Sequence, residues 1–177
     1  MKNYVANLRS LLKPSKPRKK CDWHKIETSL GVQLPSDFKE FWDIFPRGCL
    51  GFRDLDPTLF VLHSPYGESN YLKFPECVRV MSNVYSGLRE KCPELFEHRV
   101  WPEKEGLIGF AHDTNGCEYF LRPTDWHIQM LGDGENRHIE HTFSAFLWEL
   151  AHNRVVIAEA FQGEPNDNSL AIWNEEE

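Results

Sequence analysis

The chain has 177 residues, of which 41% are hydrophobic, 13% aromatic and 27% charged. This composition is typical of one globular domain with short extensions. No apolar run approaches the roughly 18 residues that a membrane-spanning helix needs. Asn7, Arg9 and Lys13 interrupt the N-terminal stretch where a secretory signal would be apolar. The five cysteines include no CxxC pair and are interpreted as reduced thiols. We therefore expect a cytoplasmic protein that does not bind membranes.

Charge divides the chain into two parts. The whole chain carries −7 and residues 1–20 carry +7, so residues 21–177 carry −14. An acidic body disfavours nucleic acid and attracts basic protein partners. The basic run at 13–20 lacks the interleaved aromatic residues of a nucleic-acid interface, so we interpret it as a solvated loop.

Three amphipathic helices are predicted before residue 46. The first covers residues 4–12, and the second covers residues 23–30 and ends at Gly31. The third follows Pro35, which suits a first helical turn. Its apolar face consists of large aromatic residues at i, i+3, i+4 and i+7: Phe38, Phe41, Trp42 and Phe45. So apolar a face must pack against the rest of the chain.

Two strands and a fourth helix are predicted next. Residues 47–52 form a glycine-marked turn into a strand, and residues 59–62 are an apolar run typical of a buried strand. Pro75 begins a helix with one apolar face, and Pro93 ends it. A charged connection follows over residues 94–105.

An antiparallel meander is predicted from residue 107. Strands at 107–111 and 118–121 flank Asn115-Gly116, a hairpin signal because both residues tolerate positive φ. Further strands at 126–131 and 137–140 flank a second, glycine-rich turn.

A closing helix follows the meander, with Thr142 as its N-cap and an apolar face that begins at Phe143. Residues 154–162 either extend this helix or form another. The polar chain after Gly163 is expected to be a mobile tail.

The elements together predict an α+β fold, in which a single mostly antiparallel sheet is covered on one face by helices. We expect an N-terminal helix and basic loop at 1–20, the α+β domain at 21–154, and a C-terminal extension with an acidic tail at 155–177.

Three stretches, taken in order, resemble the SUKH superfamily. IETSLGVQLPSDFKEFW (26–42) is similar to that family's opening helices, LIGFAHDTNGCEYFLRP (107–123) to its strand–turn–strand, and HTFSAFLWEL (141–150) to its closing helix. The family's usual Gly-Asp at the hairpin is Asn115-Gly116 here. The basic run at 13–20 and the chain after Arg154 have no counterpart.

The resemblance implies a SUKH-like binding domain without catalytic activity or cofactor. Many bacterial members are immunity proteins that bind a cognate polymorphic toxin, often a nuclease, and block it. We therefore predict stoichiometric, non-catalytic occlusion of a cognate toxin that is itself basic. The alternative is a regulatory scaffold that binds endogenous partners, as eukaryotic relatives do.

The family motif does not locate a toxin-binding face, so we predict one from the loops of the meander. These loops offer acidic residues and an aromatic residue of the type that often dominates interfaces. The predicted partner-binding residues are Asp113, Glu118, Trp126, Asp133, Glu135 and Glu140. If the hairpin tips cluster, they form an acidic edge that would attract and block the phosphate-binding groove of a nuclease. The alternative is that these carboxylates form a solvated turn surface.

Two residue pairs have chelating spacing: Cys21-x-x-His24 and His138-x-x-His141. Together they could form a zinc site, but nothing in the sequence brings the pairs together, so no metal is predicted.

Cys117 and His112 are the best candidates for thiol–histidine catalysis. No third group that would orient the histidine is evident. The residues from Asp113 to Gly116 lack the later ligands of a calcium loop and are interpreted as a turn. No enzymatic activity is therefore predicted.

Overall fold

A computed structural model of the protein describes residues 4–12, 20–45, 49–52, 60–66, 73–132, 134–152, 154–155 and 170–173. In this part of the chain the helices are α1 (Tyr4–Leu12), α2 (Trp23–Leu30), α3 (Ser36–Ile44), α4 (Phe74–Lys91) and α5 (Phe143–Ala151). The strands are β1 (Cys49–Phe52), β2 (Phe60–Leu62), β3 (Ile108–Asp113), β4 (Glu118–Leu121), β5 (His127–Gly132), β6 (Glu135–Thr142) and β7 (Leu170–Trp173). None of the described helices has the length and apolar character needed to cross a bilayer.

The seven strands form one sheet in the order β6-β5-β4-β3-β2-β1-β7. Every neighbouring pair is antiparallel. The predicted α+β fold with a single antiparallel sheet is therefore confirmed. Strands β3 to β6 are consecutive in sequence and adjacent in space, as short hairpin connections require. The last strand of this meander is longer than the predicted 137–140.

The C-terminal region differs from its prediction. β7 pairs with β1, with Cys49 opposite Trp173 and Phe52 opposite Leu170. The expectation of a mobile tail after Gly163 is therefore wrong for the four residues of β7. Its sequence, LAIW, is a short apolar run that ends in a β-branched and an aromatic residue, both favoured in strands. Of the helix predicted at 154–162, residues 154–155 are described and are not helical, and 156–162 lie outside the described residues. Of the basic loop predicted at 13–20, only Lys20 is described, and it is not part of a helix or strand.

The predicted aromatic face of α3 forms the centre of the core. Phe38, Phe41 and Trp42 are fully buried. Phe143 at the start of α5 lies against two of them, with ring centroids 4.8 Å from Phe38 and 5.2 Å from Phe41. These edge-on contacts fix α3 against α5.

Helices cover both faces of the sheet, whereas one covered face was predicted. Successive residues of a strand point to opposite faces. On β4, the ring of Tyr119 lies 5.8 Å from Phe146 of α5, while the next ring, Phe120, lies 5.1 Å from Tyr85 of α4. Periodicity identified the apolar face of α4 but could not assign it to one side of the sheet.

Candidate functional site

Strand direction separates the predicted partner-binding residues into two groups. β3 and β5 run toward the two hairpin turns, so Glu118 and Glu135 lie at the turn end of the sheet. Trp126 precedes β5, and Glu140 lies near the end of β6, so both are at the opposite end. The five residue steps from Glu135 to Glu140 span about 17 Å. The described residues therefore do not form one acidic edge, and Asp133 lies outside them.

Asp113 at the turn end is an internal residue. It is only 4% exposed, and its Oδ1 accepts hydrogen bonds from the backbone N–H groups of Asn115 and Cys117 at 2.9 and 3.0 Å. The Tyr119 hydroxyl donates to its Oδ2 at 2.7 Å. The predicted hairpin turn is confirmed, although of its residues only Gly116 has positive φ (83°). The Asp113 carboxylate therefore holds the hairpin together.

Glu118, the first residue of β4, is also turned inward, toward α4. Burial raises the pKa of its carboxyl from 4.5 to about 7, and a hydrogen bond from the Tyr85 hydroxyl opposes part of this increase. A carboxyl group of this pKa is partly protonated at neutral pH. It is therefore a weak source of negative charge at the surface.

The opposite end of the sheet contains a cleft of about 830 Å³ between α3, α5 and the end of β6. We call it the acidic cleft, because the residues that line it include four carboxylates and two imidazoles but no Lys or Arg. The charged and imidazole side chains are Asp37, Glu40, Asp125, His127, Glu140 and His141, and Trp126 also lines the cleft. Two of the six predicted partner-binding residues, Trp126 and Glu140, lie here.

One carboxylate of the acidic cleft has a structural task. Asp37 Oδ2 accepts hydrogen bonds from the backbone N–H and the hydroxyl of Ser144, at 2.9 and 2.8 Å. The N-terminus of α5 is therefore capped from α3. Thr142 occupies the predicted N-cap position but makes no capping hydrogen bond with its side chain. Glu40 and Glu140 are exposed and available to a partner.

Trp126 is held in place by an unusual backbone turn. Its φ is 61°, and its N–H donates to the carbonyl oxygen of Arg122 at 2.7 Å. Asp125 supports the same turn by accepting a hydrogen bond from the His127 N–H at 2.9 Å. The indole is partly buried against the core. A partly exposed tryptophan in a cleft that is also lined by carboxylates can bind a cationic or amphipathic side chain.

The thiol and the imidazole considered for catalysis both lie at the turn end. Cys117 is buried, with its sulfur 3.5 Å from the Gly132 carbonyl oxygen. His112 Nδ1 lies 3.0 Å from His63 Nε2, and burial lowers the pKa of His112. These contacts account for both residues as parts of the packed sheet, and the absence of catalysis stays a prediction.

The two pairs considered for zinc do not come together in the described part of the chain. Burial and the nearby Asp43 raise the pKa of Cys21 to about 11, which disfavours the thiolate that binds zinc. His138 instead lies beside Asp125 and His127. The register of the β5–β6 hairpin would have predicted that His127 and His138 are neighbours, because it places them on one face of adjacent strands.

The fold and the cleft define an α+β domain in which exposed carboxylates and a tryptophan line one cleft. In comparisons with known proteins, no family model matches this chain, and no curated protein sequence is significantly similar to it. Membership of the SUKH superfamily therefore remains a resemblance.

Proposed function

We propose that this chain is a SUKH-type immunity protein of the cytoplasm. It binds a cognate polymorphic toxin of the nuclease class in a 1:1 complex and blocks it without catalysis or cofactor. The acidic cleft, with Trp126 in its lining, is the observation that supports this proposal. It combines the two residue types that such an inhibitor requires, carboxylates for attraction and an aromatic residue for a tight local contact.

The charge of the cleft suits a nuclease. An enzyme that binds nucleic acid concentrates Lys and Arg in its phosphate-binding groove. Glu40 and Glu140 would face these cations, and Trp126 would cover the stem or the guanidinium of one of them. The −14 charge of residues 21–177 would also accelerate association at low salt.

The cleft is a better candidate for the partner-binding surface than the turn end, because most acidic residues at the turn end are not free to contact a partner. Asp113 uses both carboxylate oxygens within the hairpin, and Glu118 is turned toward α4. Glu135 is exposed at the turn end but lies about 17 Å along β6 from Glu140. This spacing makes Glu135 a matched control for Glu140.

The test is a pull-down from the lysate of the source cell, with wild type, Trp126→Ala, Glu140→Lys and Glu135→Lys as parallel baits. We expect wild type and Glu135→Lys to retain one basic protein in a 1:1 complex. Trp126→Ala and Glu140→Lys should retain much less of it, and loss of the tryptophan should weaken binding by about 2 kcal/mol or roughly 30-fold. Melting temperatures must be measured for each bait, so that loss of binding is not loss of folding.

The recovered protein is then expressed in a host with and without this chain. Growth arrest that wild type relieves and Glu140→Lys does not relieve would support the immunity function. If the baits instead retain several housekeeping proteins and the captured proteins are not toxic, the regulatory scaffold is the better description. If Glu135→Lys loses the partner and Glu140→Lys keeps it, the contact surface is at the turn end.

A further inference from the structure

Three metal-ligating side chains converge where the β4–β5 loop meets the sheet. Asp125 Oδ2 lies 3.8 Å from His127 Nδ1 and 3.8 Å from His138 Nε2. All three ligand atoms lie within 4.8 Å of one another. These distances are too long for hydrogen bonds between the groups. The three ligand atoms therefore lie close together without a hydrogen bond from either imidazole to Asp125 Oδ2.

The separations of the three ligand atoms are close to those around a tetrahedral metal ion. Bonds of about 2.0–2.1 Å from zinc to nitrogen or oxygen place neighbouring ligand atoms about 3.4 Å apart. The two separations from Asp125 Oδ2 are 3.8 Å, and the third is within 4.8 Å, so the side chains must rotate inward to reach the tetrahedral separation. His127 Nδ1 is moreover a buried atom without a hydrogen-bond partner among the described residues, although a buried polar atom normally has one. A metal ion would satisfy it.

The backbone arranges these ligands in advance. His127 and His138 lie on adjacent antiparallel strands, with ring centroids 5.5 Å apart and planes inclined by 31°. Asp125 is held by the hydrogen bond that its Oδ1 accepts from the His127 N–H. Its Oδ2 lies near both imidazoles and also near the Arg122 guanidinium. A loop carboxylate and two strand histidines thus need no change of the main chain to act together.

One neighbouring group opposes a cation. Arg122 Nη2 lies 3.5 Å from Asp125 Oδ2, the same oxygen that would bind the metal. The Arg122 side chain is 30% exposed, so it can turn away into solvent. The energy of this exposed ion pair is small, and the guanidinium reduces the affinity for a cation without preventing its binding.

We propose that Asp125, His127 and His138 bind a divalent transition-metal ion of the zinc class. Two imidazoles and one carboxylate suit Zn²⁺, and three protein ligands leave a fourth position for water or a partner's side chain. The bound ion ties the β4–β5 loop, which carries Trp126, to the edge strand β6. Binding to the folded state alone raises the melting temperature. This site does not depend on the proposed immunity function.

The test is calorimetric titration of untagged protein with zinc chloride, together with the change in melting temperature. Wild type should bind one Zn²⁺ at this site and melt at a higher temperature with zinc. His127→Gln and His138→Gln should each weaken binding by more than about tenfold, since even outer-shell partners of metal ligands contribute that much. His24→Gln is the matched control, because His24 is exposed and lies on α2, outside the cluster.

Two further measurements separate this site from binding to cysteines. Cobalt(II) should give visible absorption bands without a thiolate-to-metal charge-transfer band, and His138→Gln should remove the visible bands. Arg122→Gln should bind zinc more tightly than wild type, because it removes the competing cation. Equal zinc binding by wild type and both histidine variants, or a thiolate band that survives in them, would overturn the proposal.

Discussion

Carboxylates at the two ends of the meander differ in burial and in hydrogen bonding. At the turn end, Asp113 is buried and accepts three hydrogen bonds from its own hairpin. At the cleft end, Glu40 and Glu140 are exposed and line the same cleft as Trp126. A carboxylate in a loop therefore says little about function until its burial and its partners are known.

Asp113→Ala should cost about 3 kcal/mol or more in free energy of unfolding. The substitution leaves the Tyr119 hydroxyl and two backbone N–H groups without their acceptor inside the protein, and hydrogen bonds to a charged group are the stronger kind. Urea unfolding measures the change. Glu135→Ala, an exposed carboxylate at the same end, should change stability by no more than about 0.5 kcal/mol. A loss of stability below about 1 kcal/mol for Asp113→Ala would show that the Asp113 carboxylate does not hold the hairpin together.

Gly132→Ala should cost about 2–3 kcal/mol, because two penalties combine at this position. Its φ is 122°, a conformation that residues with a side chain rarely adopt, and an added Cβ would overlap the Gly116 carbonyl oxygen. Gly134 provides the matched control, since it has a φ of 77° but open space around a Cβ. Gly134→Ala should therefore cost only about 1 kcal/mol. Similar losses for the two variants in thermal unfolding would show that the two hairpin turns do not touch as described.

Much of this architecture could be predicted from local patterns. The i, i+3, i+4, i+7 spacing of aromatic residues located α3, and Asn115-Gly116 located the first hairpin of the meander. These features depend on residues that are close in sequence. Alternation along the strands also predicts that His127 and His138 lie on the same face of the sheet. This prediction requires the register of their hairpin, which the sequence alone does not provide.

Features that depend on distant parts of the chain could not be predicted in this way. The cap of α5 is Asp37, which lies 107 residues before Ser144. The pairing of β7 with β1 joins Trp173 to Cys49 across most of the chain. The acidic cleft likewise combines α3 with the end of β6. Sequence periodicity does not predict such contacts, because each depends on how the helices and strands pack against one another.

Asp37→Ala should cost about 1 kcal/mol, the usual contribution of a helix N-cap. Asp37 performs that task for α5, whereas the side chain of Thr142 makes no capping hydrogen bond. Thr142→Ala should therefore change stability by less than about 0.5 kcal/mol. Chemical denaturation of both variants measures the difference. A larger loss of stability for Thr142→Ala than for Asp37→Ala would show that Thr142 caps α5, as the sequence alone predicts.

Glu118→Gln should have an effect that depends on pH, with almost none at pH 4.5 and a gain in stability at higher pH. Burial raises the pKa of Glu118 from 4.5 to about 7, so between these values the unfolded chain releases a proton that the folded chain keeps. The unfolded state then binds fewer protons, and this carboxyl makes the protein less stable as the pH rises from about 4.5 to 7. Glutamine resembles the protonated form. The variant should therefore melt near the wild-type temperature at pH 4.5 and above it at pH 8, while Glu135→Gln should show no such difference. A melting temperature for Glu118→Gln below that of wild type at pH 8 would mean that the charged carboxylate stabilises the contact with Tyr85, and that both ends of the meander use ionised acids.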